Sequence, residues 1–167
     1  RPHDRAALKT FLVTGSNRGI GLEYCRQLQT RGEEVIAVCR QPSPELEALG
    51  VRLETGVDIT AGDSVTNLVE RLDGVPIDGL IHNAGILEST SLDRLDLGSM
   101  RRQFEVNALA PLRLTQALLG QLQAGSKLIL MTSRMGSIDD NSSGGSYGYR
   151  MSKVALNMAG RSLAIDL

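Results

Sequence analysis

The chain has 167 residues and a formal net charge of −1, with 41% hydrophobic residues, 22% charged residues, three Tyr, two Phe and no Trp. This length and balance indicate one globular domain, and they exclude a disordered or fibrous chain. No apolar run approaches the roughly 20 residues that span a bilayer, and the amino end lacks the apolar core of a signal peptide, so we expect a cytoplasmic protein that does not bind membranes. Because the net charge is near zero and aromatic residues are few, we expect no binding to nucleic acid.

Short apolar runs alternate with longer amphipathic stretches along the chain. Strands buried on both faces are predicted at 11–13, 35–38, 80–81 and 128–131, with a weaker fifth at 51–53. Helical patterns cover 20–31, 44–49, 64–72, 99–122 with a break near Pro111, and 149–167. This alternation predicts an α/β fold, a Rossmann-type doubly wound parallel sheet in three α/β/α layers. The Ser-, Gly-, Asp- and Asn-rich stretch 136–148 predicts a surface loop.

The two cysteines, Cys25 and Cys39, are too few for a disulfide framework or a zinc site. His3 and His82 have no metal-ligand spacing to other residues. We therefore predict two buried or half-buried thiols and no metal site.

The predicted strands end on small or polar residues. Parallel sheets bind ligands beyond the carboxyl ends of their strands. We therefore expect the functional site at this edge, where the strands lead into Thr14-Gly15, Cys39-Arg40, Asp58, Asn83-Ala84-Gly85 and Thr132-Ser133.

A glycine-rich segment, Thr14-Gly15-Ser16-Asn17-Arg18-Gly19-Ile20-Gly21, follows the first strand and opens a helix. Gly15 permits a tight turn, Gly19 lets the backbone approach a pyrophosphate, and Gly21 permits close packing of helix on strand. The helix amino end offers free N–H groups to an anion. The pattern predicts a dinucleotide cofactor site, with a plain strand-to-helix turn as the alternative.

The charge at the end of the second strand predicts which dinucleotide binds. An acidic residue there would accept hydrogen bonds from a ribose 2′-OH, whereas this chain has Arg40, which can pair with a 2′-phosphate. Arg18 in the glycine-rich segment is placed to reach the same phosphate. The pair favours NADP(H) over NAD(H); the alternative is two solvated surface arginines.

Tyr149 and Lys153 are four residues apart on one predicted helix and therefore share a face. An ammonium near a phenol stabilises phenolate, which suits acid–base catalysis. Ser133 precedes Tyr149 by 16 residues, and the predicted loop can return the chain to the same sheet edge. Taken alone, the Tyr-Lys spacing also fits a surface pair.

Five elements in this order resemble the short-chain dehydrogenase/reductase family, and within it the sniffer-type carbonyl reductases and their C-factor relatives. They are Thr14-Gly15-x-x-x-Gly19-x-Gly21, Asp58, Asn83-Ala84-Gly85, Asn107, and Ser133 with Tyr149-x-x-x-Lys153. The resemblance covers residues 8–167, an NADP-binding reductase domain. Residues 1–7 are expected to be an extension or a cloning remnant.

The resemblance implies a role for each matching residue. Tyr149 would pass a proton to a carbonyl oxygen as hydride arrives, or take one from an alcohol, and Lys153 would assist it. Ser133 would polarise the carbonyl. Asn107, where the long helix is distorted, would anchor a water that links Lys153 to solvent. The implied cofactor-binding residues are Gly15, Asn17, Arg18, Gly19, Ile20, Gly21, Arg40, Asp58, Ile59, Asn83, Ala84, Gly85, Tyr149 and Lys153.

Structural interpretations stay open for several of these residues. Asn107 could terminate a helix before Pro111, and Asp58 could cap the helix that follows Thr60. Thr132 and Ser137 compete with Ser133, and Tyr147 competes with Tyr149 but has no lysine four residues on. His82 stands where the family more often has Asn, and we expect it to be structural.

The resemblance implies an NADPH-dependent reductase with a small-molecule carbonyl or alcohol substrate. The alternatives are an NADP(H)-binding sensor or interaction protein with little or no turnover, and a structural partner that pairs helices. The apolar sides of 109–122 and 154–163 suit a homodimer or homotetramer, and they equally suit packing on their own sheet. Because family members generally run longer, we expect this sequence to be the amino-terminal part of a longer protein, truncated after the catalytic helix so that the last strands and the substrate lid are absent.

Overall fold

Five parallel strands form one sheet in the computed structural model, which describes residues 7–167. The strands are β1 (Thr10–Thr14), β2 (Glu34–Val38), β3 (Arg52–Glu54), β4 (Ile77–His82) and β5 (Leu122–Leu130). Their order is β3-β2-β1-β4-β5, so the sheet is wound outwards in both directions from β1. The predicted α/β class and parallel sheet are confirmed. The expectation for the amino-terminal extension lies, apart from residue 7, outside the described residues.

Neighbouring residues of each central strand are buried on opposite faces of the sheet. In β1, Leu12 belongs to one core cluster and Val13 to the other, and both are fully buried. Leu80 and Ile81 of β4 divide in the same way. Because side chains alternate along a strand, continuous apolar runs are needed where helices cover both faces. This is why the strands could be recognised from apolar runs.

In the described residues, 7–167, six α-helices flank the sheet. They are α1 (Gly19–Thr30), α2 (Pro44–Glu47), α3 (Gly62–Arg71), α4 (Leu97–Phe104), α5 (Ala110–Ala117) and α6 (Tyr147–Asp166). α1 and α2 contribute to one core cluster, and α3 and α5 contribute to the other. Among residues 7–167, no helix has both the length and the apolar character that a membrane crossing requires.

The predicted helix 99–122 is wrong in two respects. Its irregularity lies at Glu105–Leu109, a π-helical turn, rather than at Pro111. Pro111 sits in the first turn of α5, where its missing N–H costs little. The helix ends at Ala117. A short 3₁₀ turn at Leu119–Gln121 follows it, and β5 begins directly after that turn, at Leu122. α6 begins at Tyr147, two residues earlier than predicted.

Both cysteines are buried in the core cluster that contains α1. Burial raises the pKa of Cys25 to about 11, since a thiolate there would lose its hydration. Burial likewise raises the pKa of Cys39. The predicted buried thiols are confirmed, and burial disfavours the reactive thiolate form of both.

His82, the last residue of β4, is 3% exposed and ties the sheet to α5. Its Nε2 lies 2.8 Å from Oγ1 of Thr115, and that hydroxyl donates to the carbonyl of Pro111 at 2.8 Å. Because the single hydroxyl proton is already used, Nε2 must be the donor to Oγ1, so the ring is the neutral Nε2–H tautomer. Burial lowers the pKa of His82 to about 4. The structural interpretation of His82 is therefore supported.

We predict an acid-labile contribution of His82 to stability. Its folded pKa is depressed from the usual 6.5, so the unfolded chain binds the extra proton first and stability falls as pH drops from about 6.5 to about 4. The loss should be about 3 kcal/mol over this window. Urea unfolding at pH 7, 5.5 and 4.5 measures it.

Replacement of the ring should remove most of this slope, so His82→Gln should lose less stability between pH 7 and 4.5 than the unchanged protein. Thr115→Val is the matched control, because it deletes the hydrogen-bond partner but keeps the buried ring, and it should retain the slope. Equal slopes in the His82→Gln variant and the unchanged protein would contradict the prediction.

Candidate active site

The glycine-rich segment between β1 and α1 has the geometry of an anion-binding turn. Gly15 and Gly19 have positive φ angles of 63° and 55°, which favour glycine. A Cβ on Gly19 would meet no atom within 4 Å, so a ligand can approach the backbone there. The residue before α1, Arg18, makes no side-chain cap, which leaves the first N–H groups of a 12-residue helix available.

Asn83 holds this turn against the end of β4. Its Nδ2 donates to the carbonyls of Thr14 at 3.2 Å and Gly15 at 3.1 Å. In return, Oγ1 of Thr14 accepts from the N–H groups of Asn83 at 3.0 Å and Ala84 at 3.1 Å. A Cβ on Gly15 would lie 2.9 Å from Cα of Ala84, so the two segments are in direct backbone contact. Asn83 and Ala84 therefore brace the site.

The two arginines expected at a 2′-phosphate, Arg18 and Arg40, are both exposed, and neither guanidinium takes part in a hydrogen bond or ion pair among residues 7–167. Arg40 follows β2, and its charge contributes to a lowered pKa of Asp58. The main cause of that lowering is the pair of hydrogen bonds that Asp58 Oδ1 accepts from Thr60, one of them from Oγ1 at 2.6 Å. Asp58 thus closes a turn and does not cap α3, whose preceding residue is Ala61.

Three further residues expected to bind the cofactor, Asn17, Ile20 and Ile59, differ in their exposure to solvent. Ile20 is 61% exposed at the start of α1, and Asn17 is half-buried beside it in the glycine-rich segment. Ile59 is half-buried and packs against the core cluster that contains α3.

Lys153 and Tyr149 lie one turn apart on α6, as the spacing predicts. The Lys153 side chain is buried, and Nζ donates to the carbonyl of Met131 at 2.8 Å, just beyond β5. Nζ also lies 5.7 Å from the centroid of the Tyr149 ring. Burial lowers the pKa of Lys153, because the charged form loses hydration. α6 therefore presents a phenol and a desolvated ammonium together at the carboxyl edge of the sheet.

Ser133 sits in the turn that joins β5 to the loop. Its Oγ accepts from the N–H of Met135 at 3.1 Å, which shapes a 3₁₀ turn at Arg134–Gly136. A Cβ on Gly136 would lie 2.9 Å from Cβ of Lys153, so this turn packs directly on α6. Thr132 and Ser137 are both exposed, whereas Ser133 is half-buried.

Asn107 lies within the π-helical turn and is 1% exposed. Its Oδ1 accepts from the N–H of Ile86 and its Nδ2 donates to the carbonyl of Ile86, both at 2.8 Å. A Cβ on Gly85 would lie 3.3 Å from Asn107 Oδ1 and 3.5 Å from Lys153 Nζ, so the three residues converge. Because the helix continues into α5, the interpretation of Asn107 as a helix terminator is wrong.

Ser152, which no sequence pattern singles out, is fully buried beside these residues. Its Oγ donates to the carbonyl of Tyr149 at 2.7 Å and accepts from Asn107 Nδ2 at 3.0 Å. The contact joins α6 to the π-helical turn across 45 positions of sequence. Its position next to Lys153 was the only sequence signal, and it does not reveal a partner so far away.

Comparison with known proteins places these features in one family. The family model described as short chain dehydrogenase matches residues 9–167. The 1-hydroxy-2-glutathionyl-2-methyl-3-butene dehydrogenase of Rhodococcus sp. (strain AD45) is 44% identical, over 96% of this chain and 72% of that protein. The C-signal protein of Myxococcus xanthus is 50% identical over 95 residues, which cover 55% of this chain and 57% of that protein.

Solved structures show the same likeness. A carbonyl reductase from Pseudomonas aeruginosa PAO1, solved in complex with NADP, superimposes with a TM-score of 0.86 at 35% sequence identity. The match covers 96% of this chain and 77% of the carbonyl reductase.

We predict that Gly21→Ala destabilises the protein by about 1–3 kcal/mol, because a new Cβ would overlap the carbonyl of Gly15 and lie 2.6 Å from Asn83 Nδ2. Gly62→Ala is the matched control. Gly62 is the first residue of α3, and a Cβ there would have no neighbour within 4 Å, so this substitution should be neutral or slightly stabilising. Urea unfolding of both variants at pH 7 measures the difference. Equal stability of the two variants would contradict the close packing of the turn.

Proposed function

Because the chain belongs to the short chain dehydrogenase family, we propose that it is an NADP(H)-dependent oxidoreductase that reduces the carbonyl group of an aldehyde or ketone to an alcohol. The observation that carries this proposal is the pairing on α6 of a half-buried phenol, Tyr149, with the buried ammonium of Lys153. A surface Tyr-Lys pair would not need the 2.8 Å hydrogen bond that draws Lys153 Nζ under the end of β5.

The glycine-rich turn supports the cofactor assignment. Gly19 leaves open space over its backbone, and the first N–H groups of α1 have no side-chain cap, so the turn suits a pyrophosphate. Within the described part of the chain no side chain or carbonyl pairs with Arg18 or Arg40, so both suit a 2′-phosphate, and no carboxylate follows β2 at that position to favour a ribose hydroxyl instead. The similar carbonyl reductase of Pseudomonas aeruginosa binds NADP, which agrees with this assignment. When bound, NADPH supplies the hydride.

Tyr149 is the proposed proton donor. Reduction of a carbonyl places negative charge on its oxygen, and a phenol within hydrogen-bond reach neutralises that charge by giving up its proton. Lys153 stabilises the phenolate that remains, since its ammonium is desolvated and therefore interacts strongly. One Nζ proton is used by Met131, which leaves the other two for the phenol and a bound ribose.

Ser133 and Asn107 complete the proposed set. Ser133 Oγ accepts one hydrogen bond from the Met135 N–H, so its own proton is free to donate to a substrate oxygen. Asn107 donates both of its amide protons to the protein, to Ile86 and Ser152. Its side chain therefore positions the segment after β4, and a water that serves Lys153 would have to donate to Asn107 Oδ1.

A substrate screen tests the proposed reaction directly. Purified protein is incubated with NADPH and a panel of aldehydes and ketones, and the oxidation of NADPH is followed by its loss of absorbance. We expect roughly 1–10 turnovers per second on a good substrate. Oxidation should be assayed in parallel with NADP⁺ and alcohols that carry a glutathionyl group, because the relative from Rhodococcus is named for such a substrate. Tight NADPH binding without turnover on any member would favour the alternative, a nucleotide sensor.

We predict that Tyr149→Phe lowers kcat by about 10²–10⁴-fold, because the proton donor is lost while the ring remains. The Kd for NADPH, measured by fluorescence, should change less than about threefold, since one hydroxyl is removed from a large cofactor site. Tyr147→Phe is the matched control on the same helix turn and should keep turnover within about twofold. Full activity of Tyr149→Phe would refute the mechanism.

We predict that neutralising Arg18 and Arg40 together raises the Kd for NADPH by at least about 100-fold, since charge-assisted phosphate contacts contribute about 1.5–3 kcal/mol each. The Kd for NADH should change by only a few fold, because it lacks the 2′-phosphate. Arg26→Ala is the control: this arginine is exposed on α1 and pairs with Glu23. Titration calorimetry with both cofactors decides the matter, and equal losses for NADPH and NADH would exclude the phosphate contact.

A further inference from the structure

The segment 86–90, which leads away from β4 beside the proposed catalytic residues, is held by side-chain amides rather than by a neighbouring strand. Asn107 pairs with the N–H and the carbonyl of Ile86. Gln103 pairs in the same way with Glu88, two residues after Ile86: it accepts from the N–H of Glu88 at 3.1 Å and donates to the Glu88 carbonyl at 3.0 Å. We name these four residues the amide clamp.

Gln103 is fully buried and has every polar atom satisfied. Its second amide proton goes to Oγ of Ser99 at 3.1 Å. The pKa of the Glu88 carboxylate is lowered by the Ser99 side chain and by Arg102, whose Nη2 donates to it at 2.9 Å. A buried carboxamide with all its donors and acceptor paired is held in one orientation, since any rotation leaves an unpaired polar group.

The amide clamp also touches the start of α6. A Cβ on Gly148 would lie 2.7 Å from Gln103 Nε2 and 3.0 Å from Cα of Met100, so only glycine fits between Tyr147 and Tyr149. At its far end the segment meets Ser146, whose N–H donates to the carbonyl of Thr90 at 2.8 Å. Ser146 has a left-handed φ of 47°, a costly conformation that this contact stabilises.

From these contacts we propose that Gln103 is a positioning residue: it sets the place of segment 86–90 and, through Gly148 and Ser146, the place of Tyr149 relative to the cofactor cleft. Gln103 itself touches neither substrate nor cofactor in this arrangement. The effect on turnover rests on the proposed function, whereas the effect on the segment does not.

Amide hydrogen exchange tests the amide clamp without any turnover. In Gln103→Leu, which keeps the volume but removes both bonds to Glu88, exchange of the Glu88 amide should be at least about tenfold faster than in the unchanged protein. Arg102→Ala is the matched control, because Arg102 reaches only the exposed carboxylate of Glu88. In this variant the exchange rate of the Glu88 amide should stay unchanged. Unchanged exchange in Gln103→Leu would overturn the proposal.

Turnover tests the positioning role. Gln103→Leu should lower kcat at least about tenfold while the KM for NADPH stays within about threefold, because the adenosine end of the site is remote. A kcat within twofold of the unchanged protein, with faster Glu88 exchange, would also overturn the proposal. If the unchanged protein shows no turnover, the proposed function fails, while the exchange result still decides whether the amide clamp exists.

A conservative variant separates positioning from packing, and it decides the question if Gln103→Leu does not fold. In Gln103→Glu, a protonated carboxyl can still accept from the N–H of Glu88 and donate its single proton to the carbonyl of Glu88, whereas the ionised form sets an oxygen against that carbonyl. The kcat of Gln103→Glu relative to the unchanged protein should therefore rise at least about fivefold as pH falls from 8 to 6. A ratio that is flat with pH would show that the residue only fills space.

Discussion

The junction between the two central strands, where Thr14 and Asn83 exchange hydrogen bonds, is the constraint on which the site depends. Four bonds link the end of β1 to the end of β4 just where the two strands stop pairing. On one side the chain enters the glycine-rich turn, and on the other it enters segment 86–90. Because the junction fixes both exits, it places the anion-binding turn and the proposed catalytic cleft at a set distance from each other.

Beyond this junction, side-chain amides replace main-chain pairing. Segment 86–90 has lost its strand neighbours, and an extended backbone next to helices would leave buried N–H and carbonyl groups unpaired. Asn107 and Gln103, four residues apart on adjoining helical turns, supply a donor and an acceptor each. Residues four apart share one face of a helix, so Gln103 and Asn107 both face segment 86–90, although the π-helical turn begins between them at Glu105.

The site carries features that cost stability. Lys153 is buried with one protein acceptor, and its pKa is lowered because the charge is poorly hydrated. Ser146 adopts a left-handed conformation at the start of α6. Such features persist when the surroundings compensate for them, here through the packing of Gly136 and Gly148 against neighbouring side chains. Their concentration around Tyr149 is what an active site that exchanges stability for reactivity would show.

The sequence by itself determined the parallel sheet, the glycine-rich turn and the pairing of Tyr149 with Lys153, because each is a local pattern: an apolar run, a glycine spacing, one helical turn. The resemblance implied a distorted helix at Asn107, whereas tertiary structure alone decided the buried Ser152 contact and the proposed role of Gln103. Each of these depends on partners 15 to 45 residues away in the chain, and no local periodicity encodes such a hydrogen bond. Glutamine and serine are common on solvated helix faces, and only burial shows that their polar atoms must be paired.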